Sequence, residues 1–272
     1  MRENGKSNVR CVEGGSQPQE VAVTTEWYDR PRKGTNVPEQ PGTSGGSPAH
    51  DRGHDRGHDP LDDPFKGRQP TSHERMTGRP WDASYHDGPP PWDIGCPQPA
   101  IVRLASAGGF AGPVLDVGCG TGENTLHVAA LGLPVLGVDV AETALAMART
   151  KAGGRGLDVE FAVADAFHLE RLGRRFRTIL DCGMFHTCDA EEQPRYVASL
   201  ASAIEHRGTL YVLCFSDAGP DTGPHPVREE DLRTAFSPGN GWKIVALERD
   251  RVHTTFHGAN GAPAWLASIQ RI

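Results

Sequence analysis

The run Asp181-Cys182-Gly183-Met184-Phe185-His186-Thr187-Cys188-Asp189 brings thiols, an imidazole and carboxylates into one short stretch. A metal site would need three or four ligands converging on one point. Cys182, His186 and Cys188 lack the paired spacings that such sites use, so no metal is expected here. Pocket lining is the more economical reading. Met184 and Phe185 would form apolar walls, and His186 is the side chain of this run that can take a proton near neutral pH. The plainer alternative is a histidine that only hydrogen-bonds backbone. A second stretch, Asp116-Val117-Gly118-Cys119-Gly120-Thr121-Gly122-Glu123-Asn124, lets the backbone approach a ligand closely. Its spacing departs from the dinucleotide pattern G-x-G-x-x-G, because Gly122 falls one residue early. A pyrophosphate on this turn would be repelled by Asp116 and Glu123, whereas a ligand carrying an ammonium and a sulfonium would be attracted.

These residues need elements to hold them. "PVLDVG", "PVLGVD", "VEFAVAD", "RTILDCG" and "TLYVLCF" read as short buried strands. Between them "ENTLHVAALG", "AETALAMARTKAGG" and the long "EEQPRYVASLASAIEHRG" read as helices, after an opening helix in "PQPAIVRLASAG" with prolines in its first turn. After the helix "REEDLRTAF", "WKIVALERDRVHTTF" and "AWLASIQRI" follow without a crossover helix between them, which predicts an antiparallel pair. The expectation is therefore an α/β fold, a Rossmann-like doubly wound sheet of seven strands, mostly parallel with an antiparallel carboxyl-terminal hairpin. In such sheets a ligand sits outside the carboxyl ends of the strands where strand order reverses, which puts it on the glycine turn.

"VLDVGCGTGENTLHVA" resembles the first motif of class I S-adenosylmethionine (SAM) dependent methyltransferases. The resemblance extends to Asp139, where the family uses an acidic residue to accept the ribose hydroxyls, and to "VADAF", whose Asp165 and Ala166 stand where the family addresses the adenine. It implies SAM as cofactor, with Asp116, Gly118, Gly120, Thr121, Asn124, Val140 and Asp181 completing the cofactor site. "GPPPWDIGCPQPAIVRL" is similar to the segment before the glycine turn in the thiopurine and thiol methyltransferase branch, which carries Trp92 and Gln98 over as cofactor contacts. "LCFSDAGPDTGPHPVREEDL" resembles that branch's substrate loop, and with Phe185 it gives Phe215 and Asp217 as substrate contacts. The implied activity is transfer of a methyl group to a small-molecule thiol, phenol or quinol, or heterocyclic nitrogen, with His186 as the catalytic group. The alternatives are a catalytically silent SAM-binding module and an NAD(P)-dependent oxidoreductase.

The chain has 272 residues, 37% hydrophobic and 23% charged, with a formal net charge of -7. That charge argues against a nucleic-acid surface, which needs clustered cations to displace counterions. "DCGMF" also departs from the Asn/Asp-Pro-Pro-aromatic signature of enzymes that methylate base amines. The chain shows neither an apolar run long enough to span a bilayer nor a secretory apolar core near its start, so a cytoplasmic, membrane-free enzyme with reduced cysteines is expected. Residues 1–75 read as a disordered low-complexity leader, with Met76 a conceivable natural start, and 76–272 as the methyltransferase domain. The leader's repeat "HDRGHDRGHDP" offers His50, His54 and His58 at helical spacing, but Gly53 and Gly57 disfavour a helix, and a solvated tail is the reading adopted.

Overall fold

A computed structural model describes residues 63–218 and 225–272; the repeat and its histidines lie outside the described residues. Those residues build a seven-stranded sheet from β1 (Val114–Val117), β2 (Val135–Asp139), β3 (Glu160–Val163), β4 (Phe176–Cys182), β5 (Ile204–Phe215), β6 (Trp242–Val252) and β7 (Ala262–Arg271), in the order β3-β2-β1-β4-β5-β7-β6. Strands β1 to β5 run parallel, and β7 is antiparallel to both β5 and β6. The helices are α1 (Ser72–Thr77), α2 (Pro99–Ser106), α3 (Glu123–Ala129), α4 (Glu142–Gly154), α5 (Glu192–Ala203) and α6 (Glu229–Ala235).

Every residue of β1 is buried, as expected for a central parallel strand covered on both faces. With β4 and β5 it supplies much of the core: Leu115, Ile179, Leu180, Leu210 and Val212 are fully buried, each stabilising the fold by about 1.5–3 kcal/mol over an exposed position. Strand order reverses between β1 and β4, so the loops after these two strands face one crevice.

Several details differ from the sequence reading. The fifth helix stops at Ala203 rather than running to Gly208, because Ile204 turns extended (φ -97, ψ 148) and pairs with Phe176 of β4. The packed chain also reaches back to at least residue 63, so the expected boundary at residue 76 cuts through α1. Thr71, Ser72 and Glu74 are buried there. Glu74 closes a capping box with Thr71 and receives the Arg68 guanidinium and the Trp81 N–H. The missed signal is "TSHE", a Thr followed three residues later by Glu. Cys119, Cys182, Cys188 and Cys214 are free thiols, whereas Cys96 is disulfide-bonded. Among the described residues no helix is long and apolar enough to cross a membrane.

Candidate active site

The glycine turn leaves β1 and folds back on β2, with the Gly118 and Cys119 N–H groups both donating to the Val138 carbonyl. Gly120 (φ 53) and Gly122 (φ 82) have left-handed backbones. A Cβ on Gly122 would stand 2.9 Å from Ala148 of α4, so the helix packs where only glycine fits. Asp139, at the end of β2, accepts the Gly120 N–H at 2.8 Å and the Ala141 N–H at 2.9 Å, which ties the turn to the β2 end. Burial raises its pKa against these hydrogen bonds. Asp116 is 2% exposed and accepts the Thr125 hydroxyl at 2.6 Å; burial, with the Asp181 and Asp139 carboxylates nearby, raises its pKa to about 7.

This changes the electrostatic case made from the sequence. Glu123 is buried and pairs with Lys151 and Arg155, both at 2.8 Å. Burial beside the Asp181 and Asp139 carboxylates favours the neutral form of Asp116. The repulsion expected of a pyrophosphate is thus weaker than two free carboxylates would give.

The loop after β4 is organised by Asp181. Its fully buried carboxylate accepts the Met184 and Phe185 N–H groups on one oxygen and the Tyr196 hydroxyl on the other. Burial raises its pKa to about 6. Asp181 therefore shapes the loop. The 3-10 turn Phe185–Thr187 then sends Phe185 into the core, 0% exposed against Phe236, which corrects its expected place in the acceptor pocket. Met184 faces the glycine turn instead, its Cβ 3.6 Å from where a Cβ on Gly118 would lie.

His186 lies under the Phe215 ring at 4.4 Å, and its Nδ1 accepts the Phe215 N–H at 3.3 Å. Nδ1 is thereby an acceptor and the proton of the neutral ring sits on Nε2. Burial, with His73 and His225 nearby, depresses its pKa to about 3. A base for neutral solution is therefore not what this environment makes; the imidazole stays neutral. Among the described residues no group of three or more His, Cys, Asp or Glu is arranged to hold a metal ion.

Over the crevice lies a cover formed by residues 63–98, which the sequence reading largely missed. It carries two Trp-Asp pairs, and each aspartate latches onto a cofactor-side loop. Asp82 accepts the Thr143 N–H (2.8 Å) and hydroxyl (3.0 Å) at the start of α4. Asp93 accepts the Thr121 hydroxyl at 2.7 Å, and Thr121 in turn accepts Lys151 Nζ at 2.7 Å. The rings form a series: His73 stacks on Trp81 (4.3 Å, 14°), Trp81 meets Trp92 edge-on (5.7 Å), and Trp92 meets Tyr85 (6.2 Å). Tyr85, 4% exposed, accepts the Trp92 indole N–H, and its hydroxyl is 3.1 Å from a Cβ position on Gly120. The ring against the glycine turn is thus Tyr85, while Trp92 backs it and remains 40% exposed. The repeated Trp-Asp dipeptide at 81–82 and 92–93 was the available signal.

Other expected contacts are engaged elsewhere. The Gln98 amide pairs with the His253 backbone in both directions, at 2.8 and 2.9 Å, and Asn124 accepts the Gln98 N–H at 2.9 Å, which clips the cover to the end of β6 and to α3. Asp217 is exposed and lies beside Arg228, Glu229 and Arg233 on the surface. Val140 and Asp165 line a cavity of about 540 Å³ beneath the cover, and Asp165 caps the following turn by accepting the Phe167 N–H at 2.9 Å. Ala166 is buried beside it. The structure thus brings together Asp116, Gly118, Gly120, Thr121, Asp139, Val140, Asp165 and Ala166 along the ends of β1, β2 and β3, with His186 and Phe215 beside β4 and β5.

Comparison with known proteins decides what this crevice belongs to. A profile described as a methyltransferase domain matches residues 114–208. A 2-heptyl-1-hydroxyquinolin-4(1H)-one methyltransferase of Mycobacteroides abscessus is 38% identical over 173 residues, covering 62% of this chain and 75% of its own. The chain is a class I SAM-dependent methyltransferase. A structure solved in work on the conversion of a disulfide bond into a thioacetal group during echinomycin biosynthesis is 36% identical, with a TM-score of 0.60 over 67% of this chain and 85% of that one. The magnesium protoporphyrin IX methyltransferase of Synechocystis PCC 6803, solved with S-adenosylhomocysteine (SAH), shares the fold at 22% identity, TM-score 0.52, over 64% and 80% of the two chains. The methyltransferase is an enzyme whose cofactor is SAM, rather than a silent binding module or a nicotinamide-dependent oxidoreductase. Its fold is the Rossmann-like one expected, with the antiparallel hairpin in place.

Proposed function

We propose that this cytoplasmic enzyme methylates the oxygen of a small, planar, hydroxylated heteroaromatic compound and does not act on nucleic acid. The observation that carries the proposal is the ring series on the cover, which runs from His73 through Trp81 and Trp92 to Tyr85 at the glycine turn. A flat acceptor beneath such a wall gains stacking and dispersion contacts that a small inorganic thiolate does not. The relative named for a hydroxyquinolone supports the same class.

In this reading Asp139 receives the ribose hydroxyls. Asp165 and Ala166 address the adenine, Val140 packs beside it, and Asp116 meets the ammonium. The backbone of Gly118, Gly120 and Thr121 passes under the remainder. Trp92 acts through Tyr85. Gln98, Asn124 and Asp181 position these groups without contacting the cofactor. Bound SAM supplies a methyl group on a cationic sulfur, which leaves as the neutral thioether when the C–O bond forms.

What the chain must do is hold the acceptor oxygen in line with that methyl group and exclude water. Met184 and Phe215 provide apolar walls. The neutral His186 offers its Nε2–H to orient the acceptor, which reaches the site with its acidic hydroxyl already ionised. A panel of N-hydroxyquinolones, phenols and thiols assayed for SAH release tests this. Highest kcat/KM is expected for the hydroxylated heteroaromatics; faster turnover of aliphatic thiols overturns it.

A further inference from the structure

The segment before α1 lines the cavity that Val140 and Asp165 share beneath the cover. Resting on the placement of the cofactor proposed above, we propose that Phe65 forms an outer wall of the adenine pocket, facing Phe167 across it. The cavity of about 540 Å³ is lined by Val140, Ala164, Asp165 and Phe167, which follow β2 and β3, and by Phe65 and Arg68 from the segment before α1. Both phenylalanines carry a guanidinium on the ring: Arg68 lies 5.6 Å from the Phe65 centroid and Arg195 5.2 Å from that of Phe167.

The wall is built rather than draped. Asp63 accepts the N–H groups of Phe65 (2.9 Å) and Gly67 (2.6 Å), which winds residues 63–67 into a closed turn. Arg68 then forks onto the buried Glu74, fixing that turn to α1. Phe65 is therefore presented to the cavity by a segment with its own internal supports.

The chemistry of the cavity selects a neutral purine. Aromatic rings from two separate segments of the lining offer stacking faces, and Asp165 offers an acceptor to an exocyclic amine. Lys66, Arg68, Arg171 and Arg195 in the lining are interleaved with Asp82, Asp165 and Glu192, and Arg68 is already paired with Glu74, so the surface is not the uniformly cationic one a free phosphate would need.

The test is calorimetry on the full chain with adenosine and with SAH, for the parent, Phe65→Ala, Phe65→Leu and Phe65→Trp. Loss of one stacking ring is expected to weaken adenosine and SAH by the same factor, about tenfold. Phe65→Trp should restore both, and the acceptor's KM at saturating SAM should not move. Should Phe65→Ala melt well below the parent, Phe65→Leu carries the test, since it keeps apolar volume and loses only the aromatic face. Parent-like adenosine affinity in Phe65→Leu, alongside weakened SAH binding in Asp139→Ala, overturns the wall while leaving the crevice assigned. A parent that binds neither ligand overturns the crevice as well.

Discussion

Glu74→Gln isolates what the cover contributes. Glu74 is 1% exposed, and its carboxylate accepts the Thr71 N–H at 2.8 Å, the Thr71 hydroxyl at 3.1 Å, the Trp81 N–H at 2.9 Å and the Arg68 fork. Burial pushes its pKa up, but Arg68 and the two backbone N–H groups outweigh burial and hold it below the usual carboxylate range. The amide keeps the volume, removes the charge and turns one acceptor into a donor among donors. A hydrogen bond to a charged group contributes about 1.5–3 kcal/mol, and a buried donor left unpaired costs about 1–3 kcal/mol. These contacts share one carboxylate and do not add, so about 3 kcal/mol is the expected loss.

That loss falls on a local unit. The sheet keeps its own core, so residues 63–85 should open without global unfolding. In hydrogen exchange the amides of this segment should exchange about a hundredfold faster in Glu74→Gln, while β1, β4 and β5 stay protected. kcat/KM should fall with it. The sign with pH follows from the lowered pKa. The stabilisation is present above the ordinary carboxylate pKa and is lost as pH falls through the folded value, so parent and variant should converge in acid. Unchanged protection in residues 63–85 together with parental kcat/KM would refute the claim that Glu74 holds the cover closed.

Three further outcomes follow. Asp139→Ala should weaken SAM and SAH about ten- to a hundredfold by calorimetry, since it removes charge-assisted acceptors and frees the Gly120 and Ala141 N–H groups. His186, with its pKa lowered to about 3, is neutral through the physiological range, so the pH–rate profile should track the acceptor hydroxyl; a limb near pH 6.5 that vanishes in His186→Gln contradicts this. For Asp116 the folded pKa of about 7 lies above the unfolded one, so the folded state binds the extra proton and the parent loses stability as pH rises between the two values. Asp116→Asn mimics the protonated acid, and its denaturation free energy relative to the parent should grow by about 1–3 kcal/mol from pH 5 to pH 7; no growth contradicts the raised pKa.

What was legible in the sequence was what the backbone and local pattern dictate. The apolar strands, the glycine turn and Asp139 are set by burial and by left-handed backbones, which leave their mark residue by residue. The cover was not legible, because its bonds join residues far apart in the chain: Asp82 to Thr143, Gln98 to His253, Ser72 to Glu192. The polar stretch before residue 76 reads as unpacked until its partners are known. Which loop side chain faces the crevice was equally hidden, since the 3-10 turn after Asp181 decides between Met184 and Phe185. Gln98 was ambiguous for a related reason: a side-chain amide matches a ligand and a backbone peptide equally well, and here it pairs with the His253 backbone.

The most direct measurement uses SAM with a deuterated methyl group and an N-hydroxyquinolone acceptor, with product analysed by mass spectrometry. The account predicts the label on the acceptor's oxygen, formed together with SAH by the parent and lost in Asp139→Ala at limiting SAM. Label that stays in SAM after prolonged incubation, or turnover indifferent to Asp139, would contradict it.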